Sequence, residues 1–212
     1  PLAPAVSRAG EAVDRIHAMP IERGLEGGPA LAMMRALAPE LSFTTRMAVA
    51  NEWLFGPLLR ARMDAEPAAR ALMGTSVAPT MINGGSRGEV RAAHVEAMIN
   101  YRLHPRDASE QILERARAAV ADMEGVTLDW AEPPREATAV SSASSSSYAL
   151  IAALARATLP DMAVAPGLML AGADARHYAD VAENVYRFQP VVFSAADLEG
   201  IHGLNERLSI AN

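Results

Sequence analysis

Residues 93–103 alternate without a break. Ala93, Val95, Ala97, Ile99, Tyr101 and Leu103 fall on one side, and His94, Glu96, Met98, Asn100 and Arg102 on the other. Successive side chains of a strand point to opposite faces, so this segment requires a sheet with one covered face and one open face. Residues 76–83 read as its partner strand, joined through the loop Gly84-Gly85-Ser86-Arg87-Gly88. His104-Pro105-Arg106-Asp107 then turns the chain into a helix, with Asp107 or Ser109 as its cap and Ile112, Leu113, Ala116 and Val120 as its buried stripe. Gly125 stops that helix, and Val126–Trp130 reads as another strand. Upstream, Val6, Ala9, Ala12, Val13 and Ile16 mark an amphipathic helix over 5–18. A first helix followed by strand, strand, helix and strand predicts a small antiparallel sheet covered by two helices.

Between these parts, Gly24 to Pro29 form a turn-rich break, followed by a short helix through Leu31, Met34 and Ala38. Residues 51–72 read as helical, with interruptions at Gly56-Pro57 and near Pro67. Residues 131–147 mark a boundary. Pro133-Pro134 leads into Ser141-Ser142-Ala143-Ser144-Ser145-Ser146-Ser147, a flexible connector by composition. No serine of this run sits in a Gly-x-Ser-x-Gly context beside an evident base, so a nucleophilic role is unsupported. Beyond it come a helix (148–158), a strand (163–170), a short helix from Asp174 and a strand (185–193), an alternation that suggests part of an α/β layer.

Of the 212 residues, 50% are hydrophobic and 21% charged, which fits a globular chain rather than a disordered one. The formal net charge is −6. With no Lys/Arg cluster, it argues against nucleic acid or an anionic membrane as partner. Cysteine is absent, which excludes disulfides, thiolate metal sites and cysteine nucleophiles. No apolar run approaches the roughly 20 residues of a membrane span. Pro1-Leu2-Ala3-Pro4 lacks the charged head and apolar core of a signal peptide, and the missing initiating Met points to a processed or excised chain. The expectation is a soluble, cytoplasmic protein.

A hydrolytic two-zinc site needs about five or six His and carboxylate ligands, with one position kept for water. The five histidines are His17, His94, His104, His177 and His202, and none stands in His-x-Asp or His-Glu-x-x-His. No adjacent Glu-Glu pair exists. The sequence carries no complete zinc site.

Three C-terminal runs nevertheless form a pattern: Ala171-Gly172-Ala173-Asp174-Ala175-Arg176-His177-Tyr178, Tyr186-Arg187-Phe188-Gln189-Pro190 and Ile201-His202-Gly203-Leu204-Asn205-Glu206-Arg207. Upstream stand Trp53-Leu54-Phe55-Gly56-Pro57-Leu58, Thr75-Ser76-Val77-Ala78-Pro79-Thr80 and Asn100-Tyr101-Arg102-Leu103-His104-Pro105. In order and spacing these blocks resemble peptidase family M twenty, in its carboxypeptidase S and N-acyl-amino-acid hydrolase branch. The resemblance covers nearly the whole chain. It implies an α+β lid, a small antiparallel sheet covered by helices in ferredoxin-like order. This lid is joined to a partial α/β segment of a di-zinc aminopeptidase-like catalytic domain. Residues 1–133 would be the lid and dimerisation domain, and 134–212 the last segment of the catalytic domain. The family's His-x-Asp, bridging Asp and Glu-Glu elements are missing, its lid His-Ser-Ser-x-Pro run would fall just before Pro1, and its final helix would lie beyond Asn212. The chain then reads as a fragment.

Carried over position by position, the resemblance makes His202 the last zinc ligand and Glu206 a carboxylate behind it that orients the imidazole. Arg102 matches a strand arginine that reaches the substrate carboxylate, often in the partner subunit's site, a task suited to the two-pronged guanidinium. Asp174 and Arg176 fall in the loop expected to line the carboxylate pocket, while His177 is expected to pack or cap locally. Two departures stand out. Glu89, in Glu89-Val90-Arg91-Ala92, occupies the place of an Asn that donates toward the developing oxyanion, and an ionised carboxylate cannot donate. Ala173 and Ala175 replace hydroxyl-bearing residues.

The resemblance therefore implies a parent enzyme that uses two zinc ions to cleave a peptide or N-acyl-amino-acid amide bond beside a free carboxylate, as a homodimer through its lid. This chain alone would be inactive. The alternative reading is a non-catalytic dimerisation or binding module derived from that fold, which Glu89, Ala173 and Ala175 motivate.

Overall fold

A computed structural model describes residues 4–26, 28–169, 172–193, 197 and 206–207. Helix α1 spans Ala5–His17, with Ala12 and Ile16 four residues apart on its buried side. Arg15 and His17 lie in its last turn, where positive charge suits the helix dipole. Arg15 also pairs with Glu11 at 2.7 Å and with Asp122 at 2.6 Å. Strands β1 (Ser76–Gly84) and β2 (Val95–Arg102) pair antiparallel, from Ser76 opposite Arg102 to Gly84 opposite Val95. Burial along β2 alternates residue by residue, as its sequence requires. The register shifts by one between Pro79 and Met81. Proline cannot donate to a ladder, and the extra residue next to it, Thr80, absorbs the irregularity as a bulge.

One face of this hairpin is covered by α1 and by the helix over Ser109–Ala119. Ala12, Ile16, Met19, Ile112, Ala116 and Val120 form the core between them, with Val77, Ile99, Tyr101 and Leu103 of the strands and their edges packed against it. The predicted third strand, Val126–Trp130, joins no ladder, so the sheet among the described residues has two strands. Val126 and Leu128 still pack on the core, and Trp130 meets Tyr101 edge to face at 6.4 Å. An apolar alternation can serve a segment laid over a core as well as a paired strand. The Ser109–Ala119 helix ends well before Gly125, which instead takes a φ of 74° in the following turn. Neither Asp107 nor Ser109 caps its start. The carboxylate of Glu136 accepts from the Ser109 backbone N–H at 3.2 Å and also from the Ser109 hydroxyl.

Between α1 and β1 the chain makes a separate helical lobe: α2 (Pro29–Leu37), α3 (Phe43–Ala50), α4 (Glu52–Asp64) and α5 (Pro67–Ala71). The remaining helices are then α6 (Ser109–Ala119) and α7 (Ser146–Thr158). Proline opens α2 and α5, where its missing N–H is harmless, and the Ser42 hydroxyl caps α3 by accepting from Thr45. Contrary to the sequence expectation, α4 runs through Gly56-Pro57 without a break. Pro57 and Trp53, whose carbonyl loses its helical donor, are both exposed, so water can take the donor's place. The lobe has its own core of Leu25, Ala30, Leu31, Val49, Leu59, Met63 and Met73. Its entry and exit meet at a neck, where the Gly24 N–H donates to the Met73 carbonyl at 3.1 Å. A Cβ on Gly74 would stand 2.5 Å from the Glu22 carbonyl oxygen, so only glycine admits this approach.

After Glu136 the regular elements whose bounds are described are α7 and a 3-10 turn over Asp174–Tyr178. The strands expected at 163–170 and 185–193 form no ladder among those residues, and the helix expected from Asp174 is that single turn. A strand also needs a neighbouring edge laid alongside it, and these segments run extended without one. No helix among the described residues is long and apolar enough to cross a membrane.

Candidate functional site

Arg102 is the last residue of β2. Its neighbours Tyr101 and Leu103 pack on the core, so the strand alternation turns Arg102 to the open face, where it is exposed. The strand end is held by buried polar groups. Thr75, 1% exposed, precedes β1; its hydroxyl accepts from the His104 N–H at 2.9 Å and donates to Asp107 Oδ2 at 2.5 Å. The His104 ring, 3% exposed, accepts at Nδ1 from the backbone N–H of Arg106 at 3.2 Å and from its Nε at 3.3 Å. That leaves the ring proton on Nε2, which is buried without a hydrogen-bond partner. Burial, seconded by the Arg106 charge, lowers the His104 pKa against the opposing pull of Asp107. Buried, with Nδ1 engaged by Arg106, the ring is packed into the turn as a structural group. Burial alone raises the Tyr101 phenol.

The serine run is not the loose connector its composition suggests. Ser141 Oγ donates to the Val185 carbonyl at 3.1 Å and accepts from the Val185 N–H at 2.8 Å, standing in for a ladder partner. The Ser142 N–H donates to Asn184 Oδ1 at 2.7 Å, and the Tyr186 hydroxyl donates to the Ser142 carbonyl at 2.6 Å. Ser145 caps α7 by accepting from Tyr148, and its hydroxyl also bonds the Tyr186 hydroxyl. Serine in this setting supplies short-range donors and acceptors that knit 141–145 to 184–186.

A cleft of about 2010 Å³ opens between these parts. Arg102, Asn100 and Tyr101 line it from β2, Gly172, Ala173 and Arg176 from the turn, and Tyr186, Arg187 and Phe188 from the knitted segment. Arg102 and Arg176, the two arginines expected to bind carboxylate, both lie along the wall of this extended cleft. Acidic groups share that lining, among them Glu96, Asp129, Glu132 and Glu136. The other named residues are not gathered there. Asp174 is exposed beside the lining, and Glu89 is exposed in the loop between the strands, where Val90 bonds back to the Arg87 carbonyl. Glu206 is exposed, and His202 lies outside the described residues. His177 is exposed in the 3-10 turn rather than packed. Sequence reasoning missed Thr75 and Asp107 as a linked pair; their burial is the signal, and a lone threonine and a turn aspartate do not announce it.

Among the described residues no three His, Asp or Glu side chains gather where a metal ion could sit. Those residues do not by themselves fit a zinc centre.

Residues 3–126 match the family model described as the peptidase dimerisation domain. The chain belongs to peptidase family M twenty. Its similarity to curated members of that family extends past the matched domain. It is 34% identical over 208 residues to an N-fatty-acyl-amino acid synthase/hydrolase of Mus musculus, covering 95% of this chain and 40% of that protein. The corresponding Bos taurus protein is 32% identical over 206 residues, 94% of this chain and 40% of the relative. A carboxypeptidase S-like protein of Dictyostelium discoideum is 34% identical over 173 residues, 82% of this chain and 33% of the relative. The chain thus spans about 40% of the length of the first two relatives. No solved structure matches it. The matched residues take in α1, the helical lobe, the β1–β2 hairpin and α6.

Proposed function

We propose that the full-length parent is a zinc-dependent amidohydrolase that cleaves a peptide or N-acyl-amino-acid amide bond next to a free carboxylate. The observation that carries this reading is the placement of Arg102 and Arg176 on one cleft in a chain of this family. Two guanidiniums can engage a carboxylate through paired hydrogen bonds, and in a partly closed cleft such charge-assisted bonds gain strength. Asp174, at the head of the turn that carries Arg176, borders that pocket. The names of the mouse and bovine relatives suggest a fatty acyl group as the other half of the substrate.

In this reading residues 1–133 form the dimerisation domain and 134–212 belong to the catalytic domain. The parent is a homodimer through the former. His202 contributes the last ligand to a two-zinc site whose other ligands lie elsewhere in the parent, and Glu206 orients that imidazole. The present chain alone is then inactive. The test is hydrolysis of N-acyl amino acids by the metal-loaded parent, by the same enzyme after chelation, and by this chain. Turnover by the chain, or none by the loaded parent, contradicts the corresponding part.

Glu89 and the alanines at 173 and 175 favour a second reading, a binding module that has lost its chemistry. An exposed carboxylate at 89 would repel a developing oxyanion. Glu89→Asn in the parent separates the two. A large gain in turnover supports decay of the activity, whereas a loss supports an active site adapted around Glu89.

A further inference from the structure

We propose that Thr75 and Asp107 are positioning residues for Arg102, holding the end of β2 so that its guanidinium meets the substrate carboxylate; this rests on the reading of Arg102 given above. The ladder ends at the Ser76–Arg102 pair. Strand ends open most easily, because they lack the next rung. Here the next rung is made by a side chain. The Thr75 hydroxyl accepts the His104 N–H at 2.9 Å, two residues past Arg102, and passes its own proton toward Asp107 Oδ2 at 2.5 Å. The Asp107 N–H closes back on the His104 carbonyl at 2.9 Å, fixing the turn that carries the carboxylate. A second tie lies beside it, from the Arg106 guanidinium to the Met73 carbonyl. Residues 73–75 before β1 and 104–107 after β2 are therefore fastened together on the far side of Arg102.

The chemistry of the clasp explains why a threonine is needed. One buried atom must accept from an amide and donate to a carboxylate at the same time, which a hydroxyl does and a methyl cannot. Without it, the His104 amide loses its partner in a buried site and the Asp107 carboxylate loses one in a partly buried site. The strand end then shifts, and so does the fork at Arg102. A misplacement of about 1 Å can cost on the order of 100-fold where a bound group must be aligned.

The experiment uses the full-length parent, with an N-acyl amino acid and its C-terminal carboxamide as paired substrates. Thr75→Val, close in shape but without the hydroxyl, is expected to raise KM for the free acid about tenfold with kcat nearly unchanged, the pattern of lost binding. It should leave the carboxamide unaffected, since that substrate has no carboxylate for Arg102 to read. Thr75→Ser keeps the hydroxyl and should restore the wild-type KM. Added to Arg102→Ala, Thr75→Val should do nothing more. Equal losses on both substrates, or additive losses in the double variant, would assign Thr75 to the fold alone and overturn the proposal. If Thr75→Val does not fold, Asp107→Ala, which removes the acceptor of the Thr75 hydroxyl, gives the same comparison. If Arg102→Ala itself leaves the free-acid KM unchanged, the carboxylate reading fails first, and the proposal with it.

Discussion

Replacing Ile112 by alanine tests the packing of the sheet core directly. Ile112 is fully buried in α6, against Ile16 and Ala12 of α1 and the covered face of the strands. The substitution removes three carbons, worth about 0.8 kcal/mol each on transfer from water, or about 2.4 kcal/mol. The hole they leave cannot fully collapse between two helices and a sheet, which brings the expected loss to about 3–4 kcal/mol. With a urea dependence of about 2 kcal/mol per molar, the unfolding midpoint should fall by about 1.5–2 M. Trp130 fluorescence reports it, because that ring packs on Tyr101 at the edge of the same core. Ile82 supplies the control: it lies on β1 but is 54% exposed, so Ile82→Ala should cost less than about 1 kcal/mol. Similar losses at the two positions, or a loss at Ile112 below about 1 kcal/mol, would refute the assignment of the covered face.

Further tests address the turn, the proline and the connector. The His104 pKa is lowered in the folded chain, so the unfolded chain takes up its proton first; stability is unaffected above about pH 6.5 and declines below it, toward the lowered folded pKa. Melting temperatures of wild type and His104→Gln between pH 7.5 and 5.5 check this, and parallel curves would count against it. Pro57→Ala should restore the bond to the Trp53 carbonyl and raise stability, by at most about 3 kcal/mol, visible as a higher melting temperature; a drop would mean that the proline is structurally required. Glu136→Gln should weaken the hold on the first turn of α6 by about 1 kcal/mol or less, seen as faster amide exchange at Ser109. Unchanged exchange would show that water caps the helix equally well.

The elements that were legible are those whose period repeats over enough residues: α1, α6 and α7, and the β1–β2 hairpin, where alternation in β2 fixed which side Arg102 occupies. The segments at 126–130, 163–170 and 185–193 were misread for one reason. Their apolar character reports a surface to cover, whereas a strand also needs a free edge, and edges are not written locally. Pro57 was over-read because a proline's cost depends on whether water reaches the carbonyl it strands. The serine run was misjudged because composition gives its donors and acceptors but not Val185 and Asn184, 44 and 42 residues away, which receive them. At the candidate site, Arg102 and Arg176 were named from motifs and share a cleft, but the Thr75–Asp107 link joins residues 32 apart and needed the fold to reveal it.

The pinched neck at Gly24 and Met73 has a consequence for how this architecture can vary. A crossover whose two ends already touch places no length requirement on what hangs between them. With a core of its own, the α2–α5 lobe could shrink to a tight reverse turn or grow by whole helices while α1 still delivers the chain to β1 in the same place. Its size and outer surface are thus free to diverge among relatives, and the hairpin that presents Arg102 need not notice.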